Sequence, residues 1–387
     1  MSDRGVLRLA EPRFDRAALT AIERVLDSGR LTQGPVVESF EAAVADLCGV
    51  GHAVAVTSAT TALELSLAAL GIGPGSEVLA ADFTYPATGN AVLQRGARLR
   101  LVEVDPSTYC IDPDALAAAV TESTSAVITV DVFGLPADYG RIEPLLAERG
   151  IPLLCDAACS LGGGIGDRQC GSFGSLSAFS FHPRKSLTTG EGGMVTTDDA
   201  TLAARLRRLR NHGTERSGWR SRFVEPGFNF RMSELNAALG LSQAPGYAAV
   251  VQRRRELASL LTERLSTVDG VTPQAQPPGH RHPYQSYVVT LAERIDRDRI
   301  IASLREAGIE ATLGTYAMHA EPAFTERCAT APGDLPVSHM LMDQTLALPL
   351  HQGLTEGDLD RVASSLEEAI GMQESPPATG DASVAAA

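Results

Sequence analysis

"HAVAVTSATTALELSLAALGIG" (His52–Gly73) changes its period halfway along. Residues 52–57 are a short continuous apolar run, the pattern of a buried strand. Residues 60–73 space their leucines at helical intervals and stop at glycine. Ser58, Ala59, Thr60 and Thr61 stand between the two. They read either as an ordinary N-cap or as an anion site, because N–H groups at a helix start, joined by hydroxyls, suit a phosphate.

Working outward, the same alternation continues. "EVLAA" (77–81), "LRLVEV" (99–104), "AVITVDV" (126–132) and "IPLLCDA" (151–157) read as strands with helices between them. This predicts an α/β fold with a mostly parallel central sheet flanked by helices. "LSAFSF" (176–181) and "GGMVTT" (192–197) would pair like a hairpin. A long helix over 246–266 leads into a smaller C-terminal α+β domain. There the Pro-rich stretch 273–283 precedes a strand at 284–291. Helices are predicted over 297–309 and 354–370, the second opening with Thr355 and Asp358 at capping-box spacing. The expected division is therefore 1–245, a large domain; 246–372, a small domain; and 373–387, a disordered tail poor in large apolar residues.

The chain has 387 residues, 44% of them hydrophobic, and a formal net charge of −14. That charge argues against nucleic acid, whose binding depends on basic patches. The basic cluster Arg205, Arg207, Arg208 and Arg210 reads as a solvated helix face. The first twenty residues have no apolar signal core, and no apolar run is long enough to span a membrane. The six cysteines have no metal-finger spacing, so no metal is expected. The expectation is a cytoplasmic enzyme with reduced thiols.

One feature breaks the composition. Of 33 basic residues, a single one is lysine, Lys185, in "FSFHPRKSLTTGEGG" (Phe179–Gly193). Arginine replaces lysine on a surface at little cost, but it cannot act as an amine nucleophile. Lys185 is thus a candidate covalent anchor for an aldehyde. Ser180, five residues earlier, could lie near a phosphate. Asp156, in "LLCDAACSLG" (153–162), ends an apolar strand at the sheet edge that carries ligands in open α/β folds. A buried carboxylate there needs a cationic partner. An aldehyde anchor, a phosphate cradle and a partner for a protonated ring nitrogen together describe a pyridoxal 5'-phosphate (PLP) site.

"SGRLTQGPVVESFE" (28–41), "ALGIGPGSEVLAADFTYPATGNAV" (69–92), "DAACSLGG" (156–163), "GSFGSLSAFSFHPRKSLTTGEGGMVTTDD" (171–199), "LRNHG" (209–213) and "GFNFRMSELNAALGLSQ" (227–243) carry a family resemblance. From about residue 6 to 370 the chain resembles the PLP-dependent sugar aminotransferases of the DegT–StrS group, fold type I aminotransferases. The resemblance implies that Lys185 forms a Schiff base with PLP and that Asp156 pairs with its ring nitrogen. Tyr85 would stack on the ring. Thr60 and Ser180 would bind the phosphate together with the backbone of Ala59 and Thr60. Asn229 would reach a partner's phosphate across the interface of a homodimer with shared active sites, and Arg231 would meet a carboxylate or substrate.

His319, in "YAMHAEPAF" (316–324), falls where family members build substrate contacts. His182 lies close enough to Lys185 in sequence to line the site. Three positions depart from the pattern: Ala59 replaces a common glycine, Asp131 a common histidine, and Cys159 a Gln or His near the cofactor's 3'-oxygen. "GGGIG" (162–166) reads as a plain turn, and His280 and His282 as exposed.

The implied function is transfer of an amino group from an amino acid donor, glutamate or glutamine, to a keto acceptor. PLP would cycle through pyridoxamine 5'-phosphate (PMP). The acceptor would be a nucleotide-linked ketosugar or a related natural-product intermediate. Two alternatives are a PLP/PMP-dependent sugar dehydratase, in which the lysine is replaced, and a non-catalytic regulatory protein on the same fold. Lys185 counts against the first.

Overall fold

Seven strands build the central sheet in the computed structural model, which describes residues 5–330 and 333–374. They are β1 (His52–Val56), β2 (Glu77–Ala81), β3 (Arg98–Val102), β4 (Thr124–Val130), β5 (Leu153–Asp156), β6 (Leu176–Ser180) and β7 (Gly193–Thr197). Their spatial order is β1-β7-β6-β5-β4-β2-β3. The five strands from β3 to β6 are parallel, and β7 runs antiparallel between β6 and β1. Consecutive residues Val127 and Ile128 of β4 enter different apolar clusters. The sheet is therefore buried on both faces, which is why its strands read as unbroken apolar runs.

The helices that position the site are α1 (Arg16–Ser28), α2 (Pro35–Cys48), α3 (Ala59–Ala69), α4 (Ala87–Gln94), α5 (Ala200–Arg210) and α6 (Glu234–Gln243). The buried Glu234 carboxylate accepts the N–H groups of Gly34, Val36 and Val37 at 2.8–3.0 Å. It thereby caps α2, whose own N-cap is glycine and offers no side chain. This bond ties "SGRLTQGP" to "RMSE" across about 200 residues.

A second unit forms around the antiparallel strands β8 (Val271–Pro273), β9 (Tyr287–Leu291), β10 (Thr312–Leu313) and β11 (Thr345–Leu348), in the order β8-β9-β11-β10. α7 (Tyr247–Leu265) and α8 (Glu356–Glu374) pack on it. Thr355 and Asp358 exchange hydrogen bonds at the start of α8.

Five details correct the expectations. Leu7 bridges Ile309, with its N–H on the Gly308 carbonyl and its own carbonyl accepting from Glu310, so residues near the N-terminus belong with the small unit rather than with 1–245. Gln373 and Glu374 are helical rather than part of a tail, and residues 375–387 lie outside the described residues. Arg210 is not solvated: it is 2% exposed, with Nη1 2.5 Å from Glu41 and 2.7 Å from the Ala55 carbonyl. His282 is buried, stacked on Tyr284 at 4.0 Å, and burial with Arg255 and Arg254 nearby lowers its pKa to about 3. "GGGIG" contributes Gly164–Ile165 to a short three-stranded sheet.

Candidate active site

Three strands end in buried aspartates at the C-terminal edge of the sheet. Asp82 follows β2, Asp131 follows β4, and Asp156 closes β5. A buried carboxylate requires partners, and each of the three finds different ones.

Asp131 accepts from Tyr139 Oη and Ser160 Oγ, both at 2.6 Å, and from the Ala137 N–H at 3.0 Å. Burial pushes its pKa up to about 6 against these bonds. Its acceptors are spent on tying the end of β4 to the turn after β5. Its departure from the family's histidine is thus filled by a structural network.

Asp82 is fully buried and holds His319 twice, through the backbone N–H at 2.8 Å and through Nδ1 at 2.6 Å. That bond raises the pKa of His319. His319 arrives there because Tyr316–Ala317 pairs antiparallel with Phe83–Thr84. The small unit is so fastened to the chain just before Tyr85.

Asp156 has the least complete set. Thr88 Oγ1 donates to Oδ2 at 2.8 Å, and the Ala158 N–H reaches Oδ1 at 3.3 Å. Burial raises its pKa; the two hydrogen bonds and the charge of Lys185 oppose the rise. No cation makes a hydrogen bond or ion pair with it among the described residues.

Lys185 sits in the connection from β6 to β7, half-buried, with its N–H on the His182 carbonyl. Its Nζ is 3.0 Å from Cys159 Sγ, on the turn that follows Asp156. The small unit grips this loop: Gln285 Oε1 accepts the Ser186 N–H at 3.0 Å, and its Nε2 donates to the Arg184 carbonyl at 2.8 Å. His182 is half-buried, and its Nδ1 accepts the Arg184 N–H at 3.2 Å. Burial lowers its pKa, assisted by Arg184 and Lys185.

At the start of α3, Ser58 and Thr61 form a reciprocal capping box. It uses the N–H groups of Ser58 and Thr61 and leaves those of Ala59 and Thr60 at the helix end. Gly193 sits opposite both Val56 and Ser180 in the strand registers. A Cβ at Gly193 would collide with the Ser58 carbonyl. Glycine there lets the sheet approach the helix end at Ala59, and Ser180 is the strand partner of that same glycine.

The remaining residues lie further out. Tyr85 precedes α4, the helix that carries Thr88, and its ring is 64% exposed. Asn229 is exposed and bridges Asn211 through backbone. Arg231 bridges Val56 at the sheet edge, and its Nη1 donates to Asn211 Oδ1 at 2.6 Å. Among the described residues, no hydrogen bond or ion pair links Asn229 or Arg231 to Lys185.

Sequence reasoning missed Thr88, Asp82, Gly193 and Gln285. Thr88 stands four residues after Thr84 in "FTYPAT", and the two hydroxyls are 3.2 Å apart; that spacing was the available signal. Asp82 and Gln285 act through partners 237 and about 100 residues away and leave no local mark.

Each PLP requirement has a residue here. Asp156 lacks a cation, the α3 end offers unused N–H groups, and Lys185 places an amine nearby. The donor set therefore fits PLP. Among the described residues there is no cluster able to hold a metal, and no helix is long and apolar enough to cross a membrane.

Residues 12–367 match the profile of the DegT/DnrJ/EryC1/StrS aminotransferase family. The chain is 35% identical to GDP-perosamine synthase of Caulobacter vibrioides, over 96% of this chain and 100% of that protein. The aminotransferase TlmJ of Streptoalloteichus hindustanus superposes with a TM-score of 0.90 at 33% identity, over 95% of this chain and 100% of TlmJ. The putative sugar aminotransferase Spr1654 of Streptococcus pneumoniae, in its PMP form, superposes with a TM-score of 0.91 at 25% identity, over 95% and 98% of the two chains.

Proposed function

The chain belongs to the DegT/DnrJ/EryC1/StrS aminotransferase family, and from that premise we propose that it moves an amino group from glutamate or glutamine to the keto carbon of a nucleotide-linked sugar. It is a PLP-dependent transaminase of fold type I. The likeness to GDP-perosamine synthase and to Spr1654 supports a sugar acceptor. The single observation that carries the reading is the buried Asp156 carboxylate, without a cation of its own, beside the only lysine of the chain.

When bound, PLP supplies an aldehyde for amine capture and an electron sink for the donor's α-carbon. The rest of the work falls to side chains. Asp156, oriented by Thr88, would hold a protonated ring nitrogen. Ser180, Thr60 and the N–H groups of Ala59 and Thr60 would hold the phosphate at the positive end of α3. Lys185 Nζ would anchor the aldehyde and is the base placed to move the donor's α-hydrogen. Cys159 lies against that amine, and Tyr85 would lie over the ring.

The site is completed by a second copy of the chain. Asn229 is exposed, and the hairpin of Thr214–Ser217 and Arg220–Phe223 carries Trp219, 87% exposed, and Phe223, 73% exposed. Apolar side chains presented this far from the core suit an interface. Arg231, His182 and His319 are the proposed substrate contacts. The six cysteines are unpaired, which suits work in the cytoplasm.

A half-reaction screen tests the function. PLP-loaded protein mixed with single amino acids should lose its PLP absorbance with glutamate or glutamine. Keto compounds added to the PMP-loaded protein should restore it only with the acceptor class. If no amino acid changes the spectrum, the transaminase assignment falls.

A further inference from the structure

Cys159 differs from the other thiols in what its sulfur touches. Cys110 Sγ donates to the Leu135 carbonyl and Cys155 Sγ to the Phe173 carbonyl, both at 3.4 Å. Burial raises the pKa of these two and of Cys48, Cys170 and Cys328, which keeps all five as thiols. Cys159 is half-buried, and its sulfur accepts from Lys185 Nζ at 3.0 Å. Gln or His, which the family pattern has at this position, would offer no sulfur there.

Both sides of this contact are held by their own surroundings. The Ala158 N–H reaches Asp156 Oδ1 at 3.3 Å, and Ser160 Oγ donates to Asp131 Oδ2 at 2.6 Å, so the residues on either side of Cys159 are fixed. The turn is tightly packed: a Cβ at Gly134 would lie 2.8 Å from the Cys159 carbonyl oxygen. On the other side, the Lys185 N–H donates to the His182 carbonyl, and Gln285 holds the backbone of Arg184 and Ser186. Two side chains anchored in this way meet at a high effective concentration.

Peroxide oxidises a thiolate to a sulfenic acid, and a sulfenic acid condenses with a thiol or a nitrogen that lies within reach. No hydrogen bond or disulfide joins Cys159 to another cysteine among the described residues. The nitrogen within reach is an amine, a stronger nucleophile than the backbone amides that close such bonds elsewhere.

We propose that Cys159 and Lys185 form a reversible oxidative lock, in which hydrogen peroxide converts Cys159 to its sulfenic acid and Lys185 Nζ then bonds to the sulfur. In the first step the sulfur attacks one peroxide oxygen. The S–O bond forms, the O–O bond breaks, sulfur loses two electrons, and the departing hydroxide takes the thiol proton as water. In the second step the lone pair of the neutral Lys185 amine attacks sulfur. The S–N bond forms, the S–O bond breaks, and hydroxide leaves as water with one Nζ proton, without further redox change. Two equivalents of a thiol reductant return the cysteine and the amine and leave as a disulfide. The lock occupies the one amine of the chain's only lysine, so the locked protein cannot capture an aldehyde. The bond itself rests on the contact between the two side chains; its effect on the cofactor rests on the transaminase reading.

Mass spectrometry tests the bond. Cofactor-free wild type is treated with hydrogen peroxide, remaining thiols are capped with iodoacetamide, and the protein is digested. The peptides carrying residues 159 and 185 should be recovered joined, two hydrogens lighter than their sum, and dithiothreitol should part them. Cys159→Ser should abolish the joined species, and Cys328→Ser, at the other half-buried thiol, should leave it. Cys159 recovered as sulfinic or sulfonic acid with Lys185 free, or in a disulfide, overturns the lock. A joined pair that retains an oxygen overturns the direct sulfur–nitrogen bond.

Cofactor uptake tests the consequence. Peroxide-treated wild type should lose its PLP binding, read by absorbance, and regain it after dithiothreitol. Peroxide-treated Cys159→Ser should keep the binding it had before treatment, and PLP added ahead of peroxide should suppress the joined species in wild type. If the joined species forms and PLP uptake is unchanged, the lock has no hold on the cofactor and that role falls. Untreated wild type that binds no PLP sinks the transaminase reading, while the peptide masses still decide the bond.

Discussion

Lys185 Nζ touches Cys159 Sγ at 3.0 Å, and the thiol belongs to the turn that begins at Asp156. The lone lysine and the buried Asp156 carboxylate are therefore brought together through the turn after β5. Lys185→Arg keeps the positive charge but removes the amine. Borohydride treatment of PLP-loaded wild type should fix the cofactor to the peptide containing residue 185, as read by mass spectrometry. The Arg variant should retain no fixed cofactor. A fixed link elsewhere on the chain would refute the anchor.

Cys159 and Cys328 are half-buried, whereas Cys48, Cys110, Cys155 and Cys170 are buried. Iodoacetamide should therefore label Cys159 and Cys328 before the rest in cofactor-free protein. Labelling Cys159 should block PLP uptake, and bound PLP should slow its labelling at least severalfold while leaving Cys328 unaffected. Peptide mapping with and without PLP checks this.

Asp156 has a folded pKa above its ordinary value because burial outweighs its hydrogen bonds. The sign follows: its contribution to stability is fully present below the ordinary carboxylate range and is lost as pH rises through the raised folded value. Urea unfolding of cofactor-free wild type should thus lose ground to Asp156→Asn as pH rises through that value. The same variant should bind PLP at least tenfold more weakly. A stability difference independent of pH would contradict the buried-charge account.

His319 has the opposite chemistry and the same direction. Asp82 raises its pKa, so the bond between them stabilises the fold fully below the ordinary histidine range and ceases to do so as pH rises through the folded value. An NMR titration should place His319 above an ordinary histidine. Asp82→Asn should bring it down and reduce activity by loosening the segment before Tyr85.

Arg210 and Glu41 form a buried pair whose second Glu41 contact is the Ala55 N–H at 2.8 Å, on β1. Arg210→Ala leaves a buried charge without its partner and should cost about 3–5 kcal/mol. Arg207→Ala, at an exposed helix position, should cost less. Chemical denaturation of both variants measures the difference.

The strands of the central sheet were legible because each is buried on both faces and so reads as an apolar run. Lys185 and Asp156 were legible because one is unique in composition and the other ends such a run. Arg210 was misread because a helix of four arginines looks solvated until Glu41, 169 residues earlier, is placed beneath it. His282 was misread for a similar reason: its proline-rich neighbours suggest exposure, while Tyr284, Gln274 and α7 enclose it. Leu7 shows no periodicity at all, and only Ile309 gives it a place. Pairings across hundreds of residues carry no local signature, and most of the site's supports are of that kind.

Gln285 has a mechanical consequence. One amide of the small unit holds both the Arg184 carbonyl and the Ser186 N–H, so Lys185 hangs between two points of a single handle. A hinge rotation of the small unit must either carry that backbone with it or break both bonds together. A ligand that closes the two units on each other therefore pulls on Lys185 through the peptide chain, without touching it.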